Sequence, residues 1–201
     1  MTRRDFLTTV AGAACVTAFV PRITGAQDQQ FIRALEAAAK ERPAKLTSSA
    51  RIAPPEEPGT GLIIHGRLFT ADGRTPVPAA MMFAHHTDRE GLYHRPGMES
   101  QPWRLRGWAQ TDAEGGFEFQ TIRPGAYPSR NIPAHVHFNI FTGSERFHGG
   151  ELQFDDDPIL SAADRSRSQK QGQFGQVRAV RREGSVEHVD VAIKLDPGQR
   201  F

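Results

Sequence analysis

Ala134-His135-Val136-His137-Phe138 alternates apolar and imidazole side chains with a period of two. Successive residues of a β-strand point to opposite faces, so the pattern predicts a strand with both histidines on one face and Ala134, Val136 and Phe138 on the other. On both sides of it the chain breaks into short strand patterns divided by Gly, Pro and Asp turns. Strands are predicted over residues 62–69, 79–84, 103–111, 117–122, 135–141, 151–154 and 186–195. Turns are predicted at Asp72-Gly73 and Glu114-Gly115-Gly116, and a constrained loop at Arg123-Pro124-Gly125-Ala126-Tyr127-Pro128. This succession predicts an all-β domain over residues 61–201, a two-sheet β-sandwich around one core.

Ahead of the sandwich, Phe31, Leu35 and Ala38 stand at helical spacing and predict a short amphipathic helix over residues 27–40. Residues 41–60 are rich in Pro, Ser and charge without periodicity, and read as a linker or wrapping arm. Thr2-Arg3-Arg4-Asp5-Phe6-Leu7, a weakly apolar run and the small residues Thr24-Gly25-Ala26 read as a twin-arginine signal over residues 1–26. The apolar run is too short for a permanent span. The expectation is export through the twin-arginine machinery, to the periplasm or beyond. That route carries folded proteins, which suits a chain that acquires a metal before it leaves.

The only cysteine, Cys15, lies in this signal, so thiolate metal sites, disulfides and cysteine nucleophiles are excluded from the mature chain. A lipoprotein reading at Cys15 is weakened by Gly12, where a larger aliphatic residue is wanted. Removing Arg3, Arg4, Arg22 and Asp5 takes the formal charge from +2 to zero. Nothing in that balance points to nucleic acid or an anionic membrane as partner.

The 201 residues contain two tyrosines, Tyr93 and Tyr127, the second eight residues before His135. Phenolate oxygen is a hard donor that favours ferric iron, and imidazole suits iron, zinc and copper alike. A phenol keeps its proton to about pH 10, so only a strongly Lewis-acidic ion holds it as phenolate at neutral pH. Two phenols and two imidazoles therefore point to an iron site, against the alternative of hydrogen-bonded histidines on a strand. His85 and His86, being neighbours on a strand, point to opposite faces, so at most one of them lines the pocket or backs the ligands, with His86 the candidate named and plain surface histidines the alternative. His65, His148 and His188 are read as structural. Asp155-Asp156-Asp157 lacks the spacing of a calcium loop and is read as a solvated turn. Trp103 and Trp108 are read as core or pocket wall, and residues 161–182 as loops covering one end of the sandwich.

Gly66-Arg67, residues 73–80, Gly91-Leu92-Tyr93, residues 111–115, residues 121–128 and Ala134-His135-Val136-His137-Phe138 follow one another in an order that resembles the intradiol ring-cleavage dioxygenases, the protocatechuate 3,4-dioxygenase and catechol 1,2-dioxygenase type. The resemblance spans about residues 61–158 and implies a prealbumin-like sandwich holding non-haem Fe(III). It implies Tyr93 and His135 as equatorial ligands, Tyr127 and His137 as axial ligands, and Tyr127 also as a base. The implied reaction cleaves a catechol between its hydroxyls with O2 to a muconate-type diacid, without an external reductant. Two positions depart from the pattern. Ile132 stands where the family carries an arginine, with Arg130 nearby, and Glu151 stands where it carries a glutamine. A carboxylate beside a catecholate repels it unless protonated. Two alternatives stay open: a transthyretin-like binding module without catalytic iron, and an iron-binding homologue with altered chemistry. A homo-oligomer using residues 27–60 as an assembly arm is compatible with either.

Overall fold

A computed structural model describes residues 25–94 and 103–201; the expected signal, up to residue 24, lies outside the described residues. Ten strands follow in chain order: β1 Ser49–Arg51, β2 Gly61–Phe69, β3 Met81–His86, β4 Leu105–Gln110, β5 Gly116–Ile122, β6 His135–Thr142, β7 Glu145–Phe154, β8 Val177–Arg178, β9 Arg181–Glu183 and β10 Val186–Lys194. Two helices join them, α1 Gly25–Lys40 and α2 Ala162–Lys170.

The strands form two five-stranded sheets, in the orders β1-β5-β2-β10-β9 and β4-β3-β6-β7-β8. Alternation along each strand turns one apolar row inward. Leu62, Ile64 and Leu68 of β2, Phe117 and Phe119 of β5 and Val189 of β10 meet Met82 and Ala84 of β3, Val136, Phe138 and Ile140 of β6, and Leu152 and Phe154 of β7 in one cluster. Because Val136 and Phe138 go into this core, His135 and His137 face out of the second sheet. The same parity sends Met82, Ala84 and His86 inward from β3, and Phe83 and His85 outward. On that outer face Leu35 and Ala38 of α1 pack with Phe83, Trp103 and Trp108 as a second apolar cluster. This outer face of the sheet is thereby partly covered by a helix.

Two expectations about segment boundaries are corrected. The sandwich starts before Gly61: Ser49–Arg51 pairs in parallel with Glu118–Gln120, and Ile52 and Ala53 enter the main core. The arm lacked periodicity because a three-residue edge strand is too short to display one. Residues 161–182 are not all loop. Ser161 and Asp164 form a reciprocal capping box that starts α2, since each side chain satisfies a backbone N–H left free by the first turn.

Candidate metal centre

β6 delivers the two histidines side by side. The His135 Nδ1–H donates to the Pro133 carbonyl at 2.7 Å, which leaves its Nε2 as a lone pair. That Nε2 lies 3.0 Å from Nε2 of His137. Backbone upstream of His135 is pinned as well. The buried carboxylate of Asp157 accepts from the N–H of Ala134 and of Ile159, both at 2.8 Å.

The tyrosines arrive on two loops that lock into each other. Tyr93 follows β3 and Tyr127 follows β5. The Asp88 carbonyl accepts from Gly91 N–H at 3.0 Å and from Gly125 N–H at 2.8 Å, so one residue ties both loops. Gly91 has φ +81° and sits so close to the second loop that a Cβ there would lie 1.9 Å from the Ala126 carbonyl oxygen. Arg104 reinforces this node, binding Glu57 through two nitrogens at 2.6 and 2.7 Å and approaching Asp88 at 3.4 Å. Its backbone N–H donates to the Tyr93 carbonyl at 2.9 Å.

Four side chains predicted from the sequence are thus brought together. The Tyr93 and Tyr127 hydroxyls are 2.6 Å apart, and the Tyr127 hydroxyl is 3.3 Å from Nε2 of His135. Burial raises both phenol pKa values, Tyr93 further because Tyr127 hydrogen-bonds to it. Burial also lowers His137 to about 3, with the neighbouring His135 adding to the effect, so its imidazole is neutral and able to donate a lone pair. The donor set is two imidazole nitrogens and two phenol oxygens whose ionisation needs a cation among them. These residues fit a hard, strongly Lewis-acidic ion.

Around this centre the sequence-based expectations fare unevenly. Glu151 lies opposite His137 across the β6–β7 ladder, with Oε1 3.6 Å from Nδ1 of His137. His135, His137 and Glu151 form a group whose ligand atoms all lie within 4.8 Å of one another. Arg130 is exposed, its backbone N–H donating to the Tyr127 carbonyl, and Ile132 is half-buried with no polar group to offer. The expected pocket position of His86 is corrected to His85. His86 points into the sandwich, where Nδ1 donates to the Thr87 carbonyl and Nε2 meets the Thr121 hydroxyl, each at 2.6 Å. His85 instead lies between Trp103, at 4.2 Å between ring centroids, and His137, at 4.8 Å, and its buried Nδ1 has no hydrogen-bond partner among the described residues. Strand parity was visible in the sequence, but not which face carried the core. The aspartate run is the expected turn at Asp155 and Asp156, which are exposed, but not at its third residue. Asp157 is buried beneath β6, and Asp156 binds Arg123 and Arg182.

A cavity of about 930 Å3 opens over His85, Tyr93, His137 and Glu151, walled by Phe31, Trp103, His148 and Phe201. Phe31 and Phe201 come from opposite ends of the chain, and nothing in their local sequence marks them as pocket wall.

A family model described as dioxygenase matches residues 32–197. The chain belongs to the intradiol dioxygenase family. Catechol 1,2-dioxygenase 1 of Acinetobacter lwoffii is 31% identical over 124 residues, 53% of this chain and 40% of that protein. The protocatechuate 3,4-dioxygenase beta chain of Burkholderia cepacia is 31% identical over 117 residues, 51% of this chain and 48% of that protein. The chain spans less than half the length of these relatives. Among solved structures, an intradiol ring-cleavage dioxygenase from Tetranychus urticae superposes with a TM-score of 0.57 at 19% identity, covering 79% of this chain and 91% of that one. Catechol 1,2-dioxygenase from Acinetobacter sp. ADP1 gives 0.57 at 20% identity, covering 86% and 68%. At these identities the structural likeness carries the sandwich fold that intradiol dioxygenases share.

Proposed function

We propose that this family member is an exported non-haem Fe(III) intradiol dioxygenase, cleaving a catechol-type aromatic between its hydroxyls with O2 to a muconate-type diacid. The observation that carries the proposal is the convergence of the Tyr93, Tyr127, His135 and His137 donor atoms at 2.6 to 3.3 Å spacing. Those four residues would hold the ion. Ferric iron, when bound, supplies Lewis acidity that favours the phenolates and draws electron density from a chelated diol. The chain's residues do the rest. Tyr127 lines a cleft with Tyr93 and Arg130, and its oxygen, a phenolate when the ion is bound, would take a proton from a substrate hydroxyl. His135 is held in its tautomer by Pro133, and Trp103 and Phe31 give the cavity an apolar wall for the ring. Export rests on the Arg3-Arg4 signal of the sequence.

The test is the visible spectrum of the iron-loaded protein before and after anaerobic catechol, followed by oxygen uptake. A broad tyrosinate-to-iron band that shifts with catechol, then O2 consumption, is expected; a colourless protein that refuses iron sinks the proposal. Ile132 and Glu151 favour a second reading, an iron protein of altered chemistry. It predicts that Ile132→Arg with Glu151→Gln raises ring cleavage.

A further inference from the structure

We propose that the substrate of this site carries an ammonium group on its side chain, selected by Glu151 together with the aromatic wall of the cavity. The inference rests on the catechol dioxygenase reading above and names the substrate class of that same site.

The cavity is larger than a bare diol needs. Its volume of about 930 Å3 lies at the upper end of small-molecule pockets, which leaves room for a substituent beyond the ring. That extra room is aromatic. Phe31 contacts Trp103 at 5.7 Å and Phe201 at 5.6 Å between ring centroids, and His148 stacks on Phe201 at 4.3 Å. Aromatic faces attract cations through their quadrupole, and such walls are how proteins hold ammonium groups without burying a full countercharge.

The charge of the cavity points the same way. Arg106, His85, His137 and Glu151 lie in register across β4, β3, β6 and β7, so they share one face of the sheet. At one end of this row Arg106 is turned to Glu41 and the Trp103 carbonyl. At the other end the Glu151 carboxylate lines the cavity, about a third exposed. Arg200 is the one Lys or Arg lining this cavity among the described residues, and Glu145 binds it at 2.6 Å. Arg130 stands in the separate cleft beyond Tyr127. A carboxylated ring entering here meets a carboxylate and no uncommitted cation among the described residues. An ammonium side chain meets both a countercharge and aromatic faces.

The experiment measures equilibrium dissociation constants on the anaerobic iron-loaded protein, from the shift of the visible band. The probes are catechol, 3,4-dihydroxybenzoate and 2-(3,4-dihydroxyphenyl)ethylamine. In the parent protein the amine is expected to bind roughly tenfold tighter than catechol, the weight of one partly desolvated charge pair with its aromatic contacts, and the benzoate weaker than catechol. In Glu151→Gln the amine's advantage should shrink to a few-fold and the benzoate should gain. Phe201→Leu keeps Glu151 and removes one ring, so it should lower the amine's advantage alone; the iron band without ligand controls for folding of both variants. Benzoate binding as tightly as the amine in the parent, or an amine-to-catechol affinity ratio unchanged by Glu151→Gln, overturns the inference while leaving the dioxygenase reading intact. No band shift with any diol overturns that reading, and the inference with it.

Discussion

The Tyr93 hydroxyl lies 2.6 Å from that of Tyr127, 34 residues away in sequence, and burial keeps both phenols protonated past their ordinary range. Two buried phenols in contact cannot both ionise without a compensating cation. As these are the only tyrosines, their ionisation can be watched directly. The metal-free protein is expected to show no tyrosinate absorption at neutral pH, and ferric iron to generate it there. Tyr93→Phe and Tyr127→Phe should each weaken the band and the iron content per chain. A band of undiminished strength in both variants would remove the tyrosines from the site. The raised phenol pKa values also mean that the folded metal-free protein holds protons the unfolded chain releases above pH 10. The tyrosines' contribution to stability is therefore complete below that pH and declines above it.

Gly91 is expected to be the most sensitive position in the loop framework. A methyl group there would lie 1.9 Å from the Ala126 carbonyl in a backbone of φ +81°, so the Tyr93 loop must separate from the Tyr127 loop. Gly91→Ala should cut iron content several-fold while the sandwich, whose core lies elsewhere, keeps its strand signal in circular dichroism. Full iron loading of the variant would contradict the interlock.

The sandwich and the meeting of Tyr93, Tyr127, His135 and His137 were legible in the sequence for a common reason. Alternation in 134–138 fixes both a strand and a face, and two tyrosines in the whole chain leave few alternatives. What could not be read depended on partners far away in sequence. His85 and His86 are indistinguishable until Thr121 of the opposite sheet claims one and Trp103 the other. Ser49–Arg51 becomes a strand only because β5 offers a free edge, and Asp157 becomes a bracket only because Ala134 lies above it. The cavity wall joins α1 to the last residue, Phe201, a contact no local pattern announces.

Asp157 makes a further prediction separable from the ligands themselves. Its carboxylate accepts from Ala134 N–H and Ile159 N–H and is buried, so Asp157→Ala leaves two N–H groups without these acceptors. A loss of roughly 2–3 kcal/mol in chemical denaturation is expected, with weaker iron binding because His135 follows directly. Asp157→Asn retains one acceptor oxygen and should fall between. An alanine variant as stable as the parent would mean that the bracket contributes nothing.

His86 gives the metal-free protein an acid limit. Burial lowers its pKa from 6.5 to about 4, a shift that the Thr87 carbonyl only partly opposes. Its neutral ring donates to Thr87 and accepts from Thr121 inside the sandwich. Between these two pH values the unfolded chain binds a proton that the folded chain refuses, so stability is complete above pH 6.5 and drains away as the pH falls toward 4. The shift corresponds to about 3 kcal/mol. His137, lowered to about 3, adds to the same slope in the absence of metal. Urea midpoints measured above pH 6.5 and again near pH 4 should therefore drop steeply in the parent. They should drop less in His86→Gln, whose amide can donate and accept in the same place without titrating. Gln lowers stability at neutral pH through imperfect packing, so the comparison is of slopes and not of absolute values. Equal slopes in parent and variant would place the acid sensitivity outside His86.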